Sequence, residues 1–126
     1  MNILLAEDDQ HVAMIMQLCL EKIGGHTVTI ATDGEEALTT IPRGTYDLIL
    51  LDGMMPKKNG IQVARELIAS GNQVPIIFLS AKNDEKEYLA LGTGYIPKPF
   101  DPATICAKID EILAEASIHR KGAHHG

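Results

Sequence analysis

Residues 48–56, LILLDGMMP, set four aliphatic side chains directly before a carboxylate and a glycine. A continuous apolar run of this length, closed by turn residues, suits a strand covered on both faces, the habit of parallel sheets. Asp52 stands at the exit of that strand. An ionised carboxylate beside a core is unfavourable unless a cation meets it, so the position calls for a partner.

Outward from this run the same alternation repeats. Short aliphatic runs at 3–5, 27–30, 76–79 and 95–96 read as further strands. Between them, apolar residues recur at three- and four-residue spacing, the period of a helix face. Val12, Ile15, Met16, Cys19, Leu20 and Ile23 form one such stripe, running to Gly24-Gly25 as a C-cap. Thr32, three residues before Glu35, suggests a capping box opening a second helix. Ile61, Ala64, Leu67 and Ile68 stripe a third, stopped near Gly71-Asn72, and a weaker fourth lies within 84–91. Ile105, Ile109, Ile112, Leu113 and Ala116 stripe a fifth, opened by Asp101-Pro102. The order βαβαβαβαβα predicts a single doubly wound α/β domain with helices on both faces of a parallel sheet.

Composition narrows the function classes. A net charge of −6 argues against nonspecific nucleic-acid binding, which needs a basic surface, so no direct nucleic-acid contact is expected. No apolar run approaches the roughly 20 residues of a membrane span, so no membrane insertion is expected, and the cytoplasm is the default location. Cys19 and Cys106 lie far apart in helical patterns and read as buried thiols. The polar end, HRKGAHHG at 119–126, lacks periodicity; it is expected to be a disordered tail or tag remnant rather than a metal site built from His119, His124 and His125. The folded domain is accordingly expected over 1–118.

In open parallel sheets, ligands bind outside the carboxyl ends of the strands. Here those ends carry Glu7-Asp8-Asp9, Asp52, Ser80 and Lys98. Taken singly, Asp9 reads as a helix cap, Ser80 as a turn hydroxyl and Lys98 as a solvated lysine. Taken together they form a set. Clustered carboxylates raise one another's affinity for cations, and a few hard oxygen ligands with room for water and phosphate suit Mg²⁺. Asp52 would then serve as a nucleophile on phosphorus, since carboxylates form aspartyl phosphates. Lys98 and Ser80 would neutralise the phosphoryl oxygens.

These segments resemble the receiver domain of bacterial response regulators, the CheY-like family. ILLAEDD is similar to its first strand and acidic pair, and DGMMPKKNG to the segment around its phosphorylated aspartate. FLSA is similar to its fourth strand and switch hydroxyl, and YIPKPF to its switch aromatic, lysine and proline. The likeness covers residues 2 to about 117, with four motifs in order. It implies a flavodoxin-like three-layer sandwich, sheet order 2-1-3-4-5, and a phosphoryl-accepting role for Asp52. It further implies Mg²⁺ held by Glu7, Asp8, Asp52 and the backbone carbonyl of Met54; a shift by one residue would bring in Asp9. Ser80 and Lys98 would hold the phosphoryl group, Ser80 and Tyr95 would act as the switch, and the peptide before Pro99 would be cis. The implied partners are a histidine kinase or phosphotransfer protein and a downstream protein target, and the implied chemistry is self-phosphorylation rather than enzymatic turnover.

Two departures stand out. From Ser80 to Lys98 the chain is shorter than the family pattern by about one helical turn of roughly 3.6 residues, so a shortened fourth helix and an altered output surface are expected. Met54 and Lys82 fall where the family tunes dephosphorylation, and an apolar Met54 cannot orient a water, which predicts a long-lived phosphoryl group. Three competing readings remain: a receiver-like docking module that is never phosphorylated, a haloacid-dehalogenase-type phosphotransferase, and a flavin-binding module. The second would want an acid where Met54 stands. The third would want a hydroxyl-rich loop where Glu7-Asp8-Asp9 stand.

Overall fold

The structure, a computed structural model, describes the backbone of residues 1–80 and 85–125 and the side chains of 1–80 and 85–117. Five strands, β1 (Asn2–Ala6), β2 (Thr27–Ala31), β3 (Leu48–Asp52), β4 (Ile76–Ser80) and β5 (Gly94–Pro97), form one sheet in the order 2-1-3-4-5 with every pairing parallel. Helices α1 (Gln10–Lys22), α2 (Gly34–Thr40), α3 (Gly60–Ala69), α4 (Glu85–Leu91) and α5 (Ile105–His125) make the outer layers. This is the doubly wound sheet expected from the alternation, in the flavodoxin-like strand order that the receiver resemblance implies, and α4 has seven described residues.

Alternation along each strand divides the core in two. Ile3, Leu5, Leu48, Leu50, Ile77, Leu79 and Ile96 face one side, where Met16 and Leu20 of α1 and Ile105 and Ile109 of α5 cover them. Leu4, Ala6, Ile49, Leu51, Ile76 and Phe78 face the other, under Ala37 of α2, Val63, Ala64 and Leu67 of α3, and Tyr88 of α4. Successive strand residues point to opposite faces, so these continuous apolar runs feed both cores at once.

The helix boundaries show the local chemistry at work. Asp9, extended in backbone, caps α1 by accepting from the amides of His11 and Val12. Gly25 and Gly71, at φ +67° and +87°, follow α1 and α3 where left-handed geometry turns the chain. Two expectations need correction. The cap of α2 is Asp33, which accepts from the Glu36 amide, while the Thr32 hydroxyl donates to the Glu36 side chain; the shorter step from Asp33 reaches the third helical amide directly. Ile15, Ile23 and Ile68 were expected on buried stripes but are 49%, 60% and 46% exposed. Ala13, Met16 and Leu20 already fill the covered face of α1, and Val63 takes the place on α3 assigned to Ile68. The backbone of α5 is helical to His125.

Candidate functional site

Backbone pairing extends one residue beyond β1 and β5. The Glu7 amide bonds to Ala31 of β2, and the Lys98 amide bonds to Ser80 of β4. Glu7 therefore keeps the parity of Ile3 and Leu5, Asp52 that of Leu48 and Leu50, and Lys98 that of Ile96. Three strands thus deliver three charged side chains to the same face of the sheet at its carboxyl edge.

There they meet. Lys98 Nζ lies 3.1 Å from Glu7 Oε1 and 3.3 Å from Asp52 Oδ2, a cation shared between two acids. Glu7 is 1% exposed and Asp52 3%. Asp52 Oδ1 accepts from the Met54 amide at 3.1 Å, which fixes the carboxylate's rotation, and Glu7 Oε2 accepts from the Asp9 amide. Asp8 is exposed, yet Glu7, Asp8 and Asp52 each offer an oxygen within 4.8 Å of the others. The Asp9 side chain is already engaged in capping α1, so the acid triplet is Glu7, Asp8 and Asp52. Met54 is 55% exposed, and the Lys98–Pro99 peptide is cis.

Crowding perturbs the proton affinities of Glu7 and Lys98. Burial, reinforced by the hydrogen bond and charge of Asp52, pushes the Glu7 carboxyl up to about 8 against the pull of Lys98. Burial also disfavours the Lys98 ammonium, but the carboxylates of Asp52 and Glu7 outweigh it and hold the lysine above its ordinary range. Ionising Glu7 beside Asp52 would therefore place more negative charge in the pocket than one ammonium neutralises. Three hard oxygen donors around that excess are the donor set a small divalent cation takes.

Ser80 follows the opposite parity, that of Ile76 and Phe78, and so points toward the α2, α3 and α4 side. Its Oγ accepts a buried hydrogen bond of 3.0 Å from the Tyr88 hydroxyl. Tyr95, half-buried, stacks on Tyr88 at 5.4 Å between ring centroids, and Phe78 flanks Tyr88 at 4.7 Å. The sequence reading missed Tyr88. An aromatic inside the charged run EKEYLAL was the signal, since a lone large ring in a polar helix must bury somewhere. Glycines make the room: a Cβ on Gly53 would overlap the Tyr88 hydroxyl and stand 3.0 Å from Ser80 Oγ, and one on Gly60 would lie 2.6 Å from the Asp52 carbonyl oxygen. Lys82 lies outside the described residues.

Comparison with known proteins agrees with this geometry. The family model for the response regulator receiver domain matches residues 3–110. The transcriptional regulatory protein DltR of Streptococcus agalactiae is 38% identical over 124 residues, covering 95% of this chain and 55% of the relative. CpxR of Escherichia coli is 41% identical over 116 residues, covering 89% of this chain and 49% of the relative. The chain thus spans about half the length of these curated relatives. Among solved structures, a Francisella response regulator receiver domain aligns with a TM-score of 0.83 at 31% identity, covering 90% of this chain and 97% of its own. The chemotaxis protein CheY4 of Vibrio cholerae aligns at 0.80 and 25%, covering 88% and 97%. No helix among the described residues is long and apolar enough to cross a membrane. A match over most of the chain, together with relatives well above 30% identity, means that this chain belongs to the response regulator receiver family of two-component signalling.

Proposed function

We propose that Asp52 is the phosphoacceptor of this receiver, loaded from a phosphohistidine on a histidine kinase or phosphotransfer protein. The observation that carries this reading is the buried Asp52 carboxylate, pinned at Oδ1 by the Met54 amide and faced at Oδ2 by Lys98, with Glu7 and Asp8 within 4.8 Å.

In the transfer, an Asp52 oxygen attacks phosphorus, the P–N bond to the donor imidazole breaks, and the departing ring nitrogen keeps the electron pair and takes up a proton. The attacking form of Asp52 is the carboxylate, so the step needs no general base. Lys98, free to turn from carboxylate to phosphoryl oxygen, offsets the charge that gathers there. Glu7, Asp8, Asp52 and the Met54 carbonyl would hold Mg²⁺, which when bound supplies charge neutralisation and orientation of the phosphoryl oxygens. Ser80, at the end of the neighbouring strand, would donate to the phosphoryl group. The exposed thioether of Met54 cannot activate water, which favours slow hydrolysis.

The product is a changed surface rather than a released compound, recognised by a downstream protein target. A net charge of −6 supports a protein partner over nucleic acid. We assign the receiver unit to residues 1–118 and its working location to the cytoplasm. The test is intact-mass measurement after exposure to acetyl phosphate with Mg²⁺. The wild type gains one phosphoryl group, and neither the Asp52→Asn protein nor the metal-free wild type does. An unchanged wild-type mass would leave the docking-module reading standing.

A further inference from the structure

We propose that Tyr88 carries the phosphorylation state of Asp52 from Ser80 into α4. This inference rests on the reading of Asp52 as phosphoacceptor.

Three observations place Tyr88 in that role. Its hydroxyl donates to Ser80 Oγ at 3.0 Å in a fully buried corner. That corner exists because Gly53, the residue after Asp52, has no Cβ to occupy it. And Tyr88, 1% exposed, is the one buried residue of the seven-residue α4. The first observation ties the phenol to the residue that answers a phosphoryl group. The third makes the phenol the anchor by which α4 is held.

When Ser80 turns its hydroxyl to a phosphoryl oxygen, the acceptor of the Tyr88 bond moves. A buried phenol left without a partner is strongly disfavoured, so Tyr88 must follow Ser80 or withdraw. Either movement displaces α4, because Tyr88 is its one buried side chain and, among the described residues, the ion pair between α4 and α3, Arg65 with Glu87 at 2.9 Å, joins two exposed side chains. Tyr95, stacked on the Tyr88 ring at an interplanar angle of 16°, moves as a consequence rather than as the sensor. The short fourth helix thereby gains its own direct connection to the site.

Amide NMR of the full chain, with and without beryllofluoride and Mg²⁺, tests the relay. In the wild type, amides near Asp52 and across α4 shift together. Tyr88→Phe keeps the ring and removes the hydroxyl; the shifts near Asp52 persist and those in α4 are largely lost. Tyr95→Phe retains both. Ser80→Ala, which leaves the Tyr88 ring untouched, loses the α4 response on its own, and adding Tyr88→Phe changes nothing more, the non-additivity expected of two residues acting as one unit. An undiminished α4 response in Tyr88→Phe overturns the relay, as does additivity in the double variant. Absence of any shift near Asp52 in the wild type overturns the phosphoacceptor reading itself, and is told apart because it precedes every effect of the variants.

Discussion

The carboxyl edge of β1 and β3 and the α4 arm lie side by side and are built on opposite terms. At the edge, each group is fixed several times over: Asp52, on a strand whose side chains are all buried, by a backbone amide and a lysine, and Glu7, itself buried just beyond β1, by the same lysine and the Asp9 amide. The arm has seven residues, one buried anchor and an exposed Leu89 at 50%. Chemistry that depends on placing charges needs the first kind of construction. A part that must move between two positions is drawn from the weakly held end of the stability range.

The sharpest way to break this contrast is to cut equal volumes from both regions. Leu50→Ala, in the central strand and wholly buried, is expected to cost about 2–5 kcal/mol. Leu89→Ala is expected to change unfolding free energy by no more than about 0.5 kcal/mol. Urea titration measures both. Comparable losses would mean that α4 is an integral part of the core.

The edge has a further signature in pH. Glu7 titrates at about 8 in the folded protein against 4.5 for an ordinary glutamate, so the folded state binds its proton more tightly than the unfolded chain does. The stability this contributes is complete below 4.5 and is lost as pH rises through about 8. Without metal, stability is expected to fall across that window by up to about 5 kcal/mol. Glu7→Gln should flatten the profile. Mg²⁺, which favours the ionised carboxylates, should restore stability more at the alkaline end than at the acid end. A metal-free profile that rises with pH would contradict the buried, proton-hungry edge.

The smallest expected effect belongs to the arm. Arg65→Ala removes the exposed pair with Glu87 and should cost about 0.2–1 kcal/mol at most, while speeding amide exchange in α4 more than in α3. Equal acceleration in both helices would show that the pair tethers neither.

How much of this was legible in the sequence differs between the two regions for a physical reason. LILLD announces a buried strand with an acid at its exit, and the strand-end rule then gathers Glu7, Asp8, Asp52, Ser80 and Lys98 without knowledge of contacts. The exposed Ile15 and Ile68 were misplaced because apolar character marks a helix face only to within a residue's rotation. The Tyr88–Ser80 bond was not legible at all. It depends on which way Ser80 points, on the length of α4, and on a missing Cβ at Gly53, three facts that meet only in space. Receiver patterning directed attention to Tyr95, which stacks one ring further out.

The central claim concerns one side chain, and borohydride puts it to the most direct test. Borohydride reduces an aspartyl phosphate to homoserine, so protein treated with acetyl phosphate and Mg²⁺, reduced and read by peptide mass spectrometry should carry homoserine at position 52 and nowhere else. Homoserine at Asp8 or Asp9, or unmodified Asp52 in protein that has gained a phosphoryl group, would contradict the account.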